Sequence, residues 1–194
     1  MNPFVPNALA AGVVMDTPVV TQRASPGSRD RGAVAEPERV AVTLNVNGTA
    51  RTLQVEPRTT LAEALRGALH LTGTKIACNR GACSACTVLI DGIPVCSCMM
   101  LAIEVGARRI TTIEGVADGD VLHPVQAAFI ARDAVQCGFC TPGLVLSCVA
   151  LLERLSDPTA DDVKAAISGH LCRCGTYPHV VEAALTAAKA RKAP

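Results

Sequence analysis

The chain has 194 residues, 49% of them hydrophobic, and its 18 basic and 17 acidic side chains leave a net charge of +1. With no basic stripe and only 2% aromatic residues it lacks both the electrostatic footprint and the stacking platforms of a nucleic-acid binder. No apolar run approaches the roughly 18 residues of a membrane span.

Residues 1–38 carry five prolines among scattered Ser, Gly and Arg and show no sustained period, which predicts a disordered or partner-wrapped extension. Its one apolar stretch, residues 8–15, is short and no basic residues precede it. No Arg-Arg pair of a twin-arginine export signal is present. The expected location is cytoplasmic, with periplasmic as the alternative if such a signal is missing from this start site. Residues 40–46 alternate apolar and polar, Asn47-Gly48 is a two-residue hairpin turn, and residues 50–55 alternate again. Thr60-Leu-Ala-Glu63 is a capping box opening a helix that ends near residue 69, with Leu61, Ala64, Leu65 and Ala68 on one face. A cysteine-bearing loop follows, then a strand over 87–90, a turn at Asp91-Gly92, a strand through 95 and a last strand over 109–113. Hairpin, helix, loop and strands in that order predict a β-grasp domain over residues 39–115.

From about residue 116 the pattern is helical. His123-Pro124 starts a helix over 125–132, and Thr141-Pro142 supplies an N-cap and an N1 proline for one over 143–155. Thr159 opens a third helix to residue 168, stopped by Gly169, and Pro178 opens a fourth to about residue 192. The fold class is therefore α+β: a β-grasp, ferredoxin-like domain followed by a four-helix domain over residues 116–194.

Eight of the ten cysteines fall into two groups. Cys78-x4-Cys83-x2-Cys86, followed after eleven intervening residues by Cys98, has the spacing of a plant-type [2Fe–2S] site. Cys137-x2-Cys140 and, after a long gap, Cys172-x-Cys174 form the second. A disulfide framework fits poorly, because disulfide-rich chains are mostly short, secreted and without a core. Zinc is the stronger rival, since Cys137-x2-Cys140 would serve as half a ribbon, but Cys172-x-Cys174 is tighter than the usual second knuckle. A Rieske centre needs two histidine ligands, and His70, His123, His170 and His179 stand in no Cys-x-His pair, so they read as surface or cap residues. Cys96 and Cys98 would share a face if residues 93–99 formed one strand, so position alone does not say which ligates. The eleven-residue gap favours Cys98. Cys148, inside an apolar helix, reads as a buried, inert small hydrophobe. Cys137 and Cys140 precede the second helix and Cys172 and Cys174 the fourth, so helix N-terminal N–H groups are expected to face the sulfurs.

These blocks resemble the iron–sulfur subunit of molybdenum hydroxylases of the xanthine oxidase family. The match lies in Gly73-Thr-Lys75, Cys78-Asn-Arg-Gly-Ala-Cys83-Ser-Ala-Cys86, Thr111-Thr-Ile-Glu-Gly115, Gln136-Cys-Gly-Phe-Cys-Thr-Pro-Gly143 and Gly169-His-Leu-Cys-Arg-Cys-Gly-Thr-Tyr177. The run Leu122-His-Pro-Val-Gln-Ala-Ala-Phe-Ile130 and the proline-rich extension look most like the small subunits of bacterial three-chain aldehyde oxidoreductases. The resemblance implies two [2Fe–2S] clusters and docking against a large subunit with a molybdenum–pterin cofactor and usually an FAD subunit. The helical-domain cluster would lie nearest the pterin, with Gln136 and Cys140 as cofactor-binding residues, and the ferredoxin-like cluster would pass electrons toward FAD. No substrate site is expected on this chain. A free-standing two-cluster carrier is the alternative. Two departures stand out, Ala77 and Ser84 where the family commonly has glycine. Serine at 84 costs strain of order 1 kcal/mol if that position needs a positive φ.

Overall fold

The computed structural model describes residues 37–192. All but the last two residues of the extension expected over 1–38 lie outside them. Strands β1 (Val40–Val46) and β2 (Thr49–Val55) pair antiparallel through Asn47 and Gly48, both at positive φ (50° and 76°). That is what a type I′ turn demands of both central residues, and the Asn-Gly pair supplies it. The sheet is completed by β3 (Thr87–Ile90), β4 (Ile93–Cys96) and β5 (Arg109–Thr111) in the order β2-β1-β5-β3-β4. β5 runs parallel to β1 and antiparallel to β3, and β4 is antiparallel to β3.

Helix α1 (Leu61–Glu63) continues as a π-helical turn over Ala64–Ala68 and covers one face of the sheet. Its capping box forms as the sequence predicts: the Glu63 N–H donates to Thr60 Oγ1 at 3.2 Å and the Thr60 N–H to Glu63 Oε2 at 2.9 Å. Leu61 and Leu65 pack with Leu44, Val46, Leu53, Val88 and Ile110 into the first core. The capping box fixes where α1 starts, and therefore where the cysteine loop after it begins.

Helices α2 (Pro124–Ala131), α3 (Thr141–Arg154), α4 (Ala160–Ile167) and α5 (Tyr177–Lys192) enclose the second core, built from Phe129, Leu144, Val145, Val163, Val180 and neighbours. Ala183, Ala184, Ala187 and Ala188 on α5 are all buried, so small side chains set how closely that helix approaches the rest. All four residues of β3 are buried, because Leu89 on its outer face packs against Leu146 and Ala150 of α3. A strand covered on both sides reads as a continuous apolar run, and this contact joins sheet and helices.

Most element ends lie within two residues of expectation, and three of them have a visible cause. β5 ends at Thr111 because Asn47 captures the next residue: Thr112 N–H donates to Asn47 Oδ1, and Asn47 Nδ2 to Thr112 Oγ1, each at 2.9 Å. β4 ends at Cys96, where the chain winds into a 3₁₀ turn, Ser97–Met99, tied back by Ser97 Oγ to the Cys86 carbonyl at 2.6 Å. α3 begins one residue earlier than Thr141 as N-cap would place it, since the Cys140 carbonyl already accepts the Leu144 N–H.

Candidate metal centres

The loop over residues 78–86 has no regular structure, yet its backbone is specific. Asn79, Gly81 and Ser84 all take positive φ (50°, 71° and 55°), and such turns aim successive N–H groups into a concavity suited to anionic sulfur. The Ala82 N–H donates to Cys78 Sγ and the Gly81 N–H to Cys98 Sγ, both at 3.3 Å. Cys78 lies against Cys83, and Cys86 against Cys98. The Arg80 N–H, with the Cys83 side chain, holds the Cys78 thiol down to about 7. Burial pushes Cys86 up to about 12.

The second group is assembled from two distant hairpins. Gly138 and Gly175, at φ of 78° and 75°, turn the chain beside Cys137 and Cys174, a conformation that an L side chain rarely adopts. The thiols pair across the hairpins, Cys137 with Cys174 and Cys140 with Cys172. The Phe139 N–H lowers Cys137, while burial pushes Cys140 up to about 12. At Cys172 burial raises the thiol, but the Thr176 hydroxyl at 3.4 Å and the Thr176 and Gly175 N–H groups outweigh it, leaving it at about 7. Those two N–H groups sit just ahead of α5, where a helix start concentrates unpaired donors.

Each group therefore consists of two thiol pairs. Among the described residues no three His, Cys, Asp or Glu side chains converge on a single point as a mononuclear ion would require. A binuclear group taking two thiolates at each iron has a use for paired thiols with N–H donors around them, and four cysteines are the donor set of a [2Fe–2S] cluster. The residues fit that group at both places.

The two groups touch through backbone. The Leu171 N–H, one residue before Cys172, donates to the Cys83 carbonyl at 3.1 Å. Tyr177 clamps that segment, its hydroxyl accepting from the Cys172 N–H at 2.7 Å and donating to the His170 carbonyl at 2.9 Å. Between the groups lies a cavity of about 550 Å³ whose walls include Cys83, Cys137, Phe139, Cys140, Leu171 and Cys172.

Comparison with known proteins agrees with this geometry. The family described as "2Fe-2S iron-sulfur cluster binding domain" matches residues 44–112, and the one described as "[2Fe-2S] binding domain" matches residues 112–185. The aldehyde oxidoreductase iron–sulfur-binding subunit PaoA of Escherichia coli is 44% identical over 166 residues, 78% of this chain and 72% of that one. The nicotine 6-hydroxylase small subunit of Paenarthrobacter nicotinovorans is 47% identical over 150 residues, 77% of this chain and 90% of that one. The chain belongs to the iron–sulfur subunits of the molybdenum hydroxylase family. Among solved structures, quinoline 2-oxidoreductase from Pseudomonas putida 86 superposes with a TM-score of 0.76 at 40% identity, covering 79% of this chain and 96% of that one.

Within this iron–sulfur subunit, several side chains lie where the sequence alone did not put them. His170 is neither surface nor cap: it is 5% exposed, its Nε2 bonds Ser147 Oγ at 2.7 Å, and its Nδ1 has no partner. Burial lowers it to about 4, so it is neutral. No sequence signal marks it, because its partner sits on α3. His123 does cap α2, accepting the Val125 N–H, and His179 is exposed beside the Arg132 carbonyl. Ser84 takes the positive φ that its sequence position raised as a possibility. Cys148 is wholly buried in the helical core, its thiol pushed up to about 12 by burial, as expected of an inert hydrophobe. Cys96 and Cys98 do not share a strand face, since β4 stops at the first of them. Cys98 is buried, while Cys96 is half-buried beside Ser84. Gln136 is exposed, directly before Cys137.

Proposed function

We propose that the chain carries electrons from a molybdenum–pterin centre on a large partner subunit, through two [2Fe–2S] clusters, to FAD or another acceptor on a further partner. Cys78, Cys83, Cys86 and Cys98 would hold the first cluster, and Cys137, Cys140, Cys172 and Cys174 the second. The clusters would supply one-electron redox steps; the protein supplies their spacing and their N–H donors.

The observation that carries the reading is the Cys83 carbonyl accepting from the Leu171 N–H. It joins a sulfur of one group to Cys172 of the other by about ten covalent bonds and one hydrogen bond. A structural protein has no need of such a link between two metal sites, whereas a conductor does. The link would serve a free-standing carrier equally; what favours the complex is that relatives are named "small subunit" and "iron-sulfur-binding subunit", which imply larger partners. Phe139 (46% exposed) and Leu171 (62% exposed) border the second group and offer an apolar face to such a partner. Gln136, exposed and directly before Cys137, would bind the pterin through its amide, with Cys140 in the same hairpin.

The β-grasp domain would end at residue 115 and the helical domain begin at residue 116, just after the 3₁₀ turn Ile113–Gly115. Among the described residues no helix is long and apolar enough to cross a membrane. A cytoplasmic complex accords with thiols that must stay reduced while clusters are inserted. Aldehydes and N-heterocycles, named in the relatives, are the substrate classes expected of the partner; this chain would hold the electrons only.

The test is metal content of the chain isolated with its native partners. Two clusters give about four irons per chain, accompanied by about one molybdenum. Zinc in place of iron overturns the reading at the clusters, and four irons without molybdenum overturns the hydroxylase assignment in favour of a free carrier.

A further inference from the structure

A fifth thiol stands inside the first site. Cys96 Sγ lies 3.7 Å from Ser84 Oγ and 4.0 Å from the Gly81 carbonyl oxygen, so it sits within the same loop that carries Cys78, Cys83 and Cys86. Gly81 is the meeting point of two sulfurs: its N–H donates to Cys98 Sγ at 3.3 Å, and its carbonyl faces Cys96 Sγ. Only Ser97 separates the two cysteines. That serine is anchored on Cys86, its hydroxyl and its N–H both donating to the Cys86 carbonyl, at 2.6 and 3.3 Å. Both thiols are thereby suspended beside Cys86, and Cys86, Cys98 and Cys96 pack together with Ala62 and Ile76 in one apolar cluster.

The surroundings of Cys148, the other surplus cysteine, are different. It is wholly buried within the helical core, where it packs with aliphatic neighbours such as Leu144 and Leu152. Cys96 keeps partial access to solvent, and a residue in an unfavoured conformation, Ser84, reaches across to it.

We propose that Cys96 is a reserve ligand of the first [2Fe–2S] site, placed to take over from Cys98 beside Cys86. The inference rests on the reading in which Cys78, Cys83, Cys86 and Cys98 are the resident ligands. In the exchange, the Cys96 S–H bond would break with its proton passing to water, and a Cys96 sulfur–iron bond would form as the Cys98 sulfur–iron bond breaks. The departing Cys98 thiolate takes a proton from water, and no electron moves. The 3₁₀ turn has to rotate about Ser97 while Cys86 stays in place. Such a site survives loss or alkylation of Cys98 where a four-cysteine loop would shed its iron.

The test uses the full chain in its native complex, in four forms: unaltered, Cys96→Ala, Cys98→Ala, and both together. Iron and acid-labile sulfide per chain are measured with the EPR spectrum of the dithionite-reduced protein. The proposal expects about four irons in the first three forms and about two in the double variant, with a shifted first-site EPR signal in Cys98→Ala alone. Cys98→Ala falling to two irons with the second site's signal intact overturns the proposal. If Cys96→Ala alone falls to two irons, Cys96 is the resident ligand, and it is the assignment of Cys98 that fails. Should Cys98→Ala not fold, Cys98→Ser is compared with and without Cys96→Ala. An all-thiolate visible spectrum that becomes oxygen-ligated only in the pair supports exchange, and identical spectra overturn it.

Discussion

Gly143 lies in the first turn of α3, where alanine would ordinarily strengthen a helix. A Cβ there would meet the Ser84 carbonyl oxygen at 2.7 Å and the His170 ring at 3.1–3.2 Å. Ordinary contact needs about 3.5 Å, so Gly143→Ala drives loop and helix apart by about 0.8 Å. The atom in the way is backbone and has no rotamer to escape into. Cys83, next to Ser84, is held to Leu171 by a 3.1 Å bond, which does not tolerate a retreat of that size. Overpacking costs about 1–3 kcal/mol and the lost hydrogen bond about 1, against a helix-propensity gain of up to about 1. The net is a loss of about 1–4 kcal/mol, or a melting temperature about 2–16 °C lower for a chain of this size. Far-UV and visible circular dichroism during heating read the protein and the clusters together. Gly67→Ala is the control: nothing lies within 4 Å of a Cβ there, and the same exchange is expected to leave stability unchanged or raise it. If Gly143→Ala melts at or above the unaltered protein, the loop is not pressed onto α3 and the proposed link between the sites loses its mechanical basis.

Ser147→Ala removes the one partner of the His170 ring and leaves both its nitrogens unpaired in a buried place, for a loss of about 1–3 kcal/mol measurable by denaturant titration. Cys148→Ser puts a hydroxyl among aliphatic side chains and costs about 1–3 kcal/mol, while iron content and EPR stay as they were; a lost cluster would show that Cys148 is not inert. Thr159→Ala removes the side-chain cap of α4 and with it the hydroxyl hydrogen bond to Asp162, the larger of the two that hold this carboxyl below its ordinary value, while the residue 159 N–H keeps the other. A carboxylate depressed by folding stabilises above its unfolded value and loses that contribution as pH falls through the folded one. The gap in melting temperature between Thr159→Ala and the unaltered protein is therefore expected to be largest near neutrality and to narrow below about pH 4. A gap that widens on acidification contradicts the capping role.

Local chemistry was readable without coordinates. Asn47-Gly48 named its own turn, Thr60 to Glu63 its own cap, and the cysteine spacings divided eight of the thiols into two groups. What stayed hidden depends on partners distant in the chain. The crossing of Cys137 with Cys174 and Cys140 with Cys172 follows from how α3, α4 and α5 stack, which no spacing states. β4 ends at Cys96 because Ser97 finds the Cys86 carbonyl, a contact that overrides a strand pattern able to continue. His170 reads as polar, hence exposed, until α3 presents Ser147 to it. The continuous burial of β3 likewise needed the helix on its far side.

With the cluster ligands proposed above, the unequal origins of the two thiol groups would set an order of maturation. Three of the first group's sulfurs lie on one short loop, so that a metal delivered early has most of its donors before the sheet is complete. The second group exists only when the hairpin before α3 meets the one before α5, which requires the intervening helices to have docked. Iron arriving ahead of that docking finds two half-sites, each with two thiols open to oxidation. A newly made chain short of iron is thus expected to accumulate with its helical half vulnerable first, and a delivery factor acting on it gains most by waiting for α5.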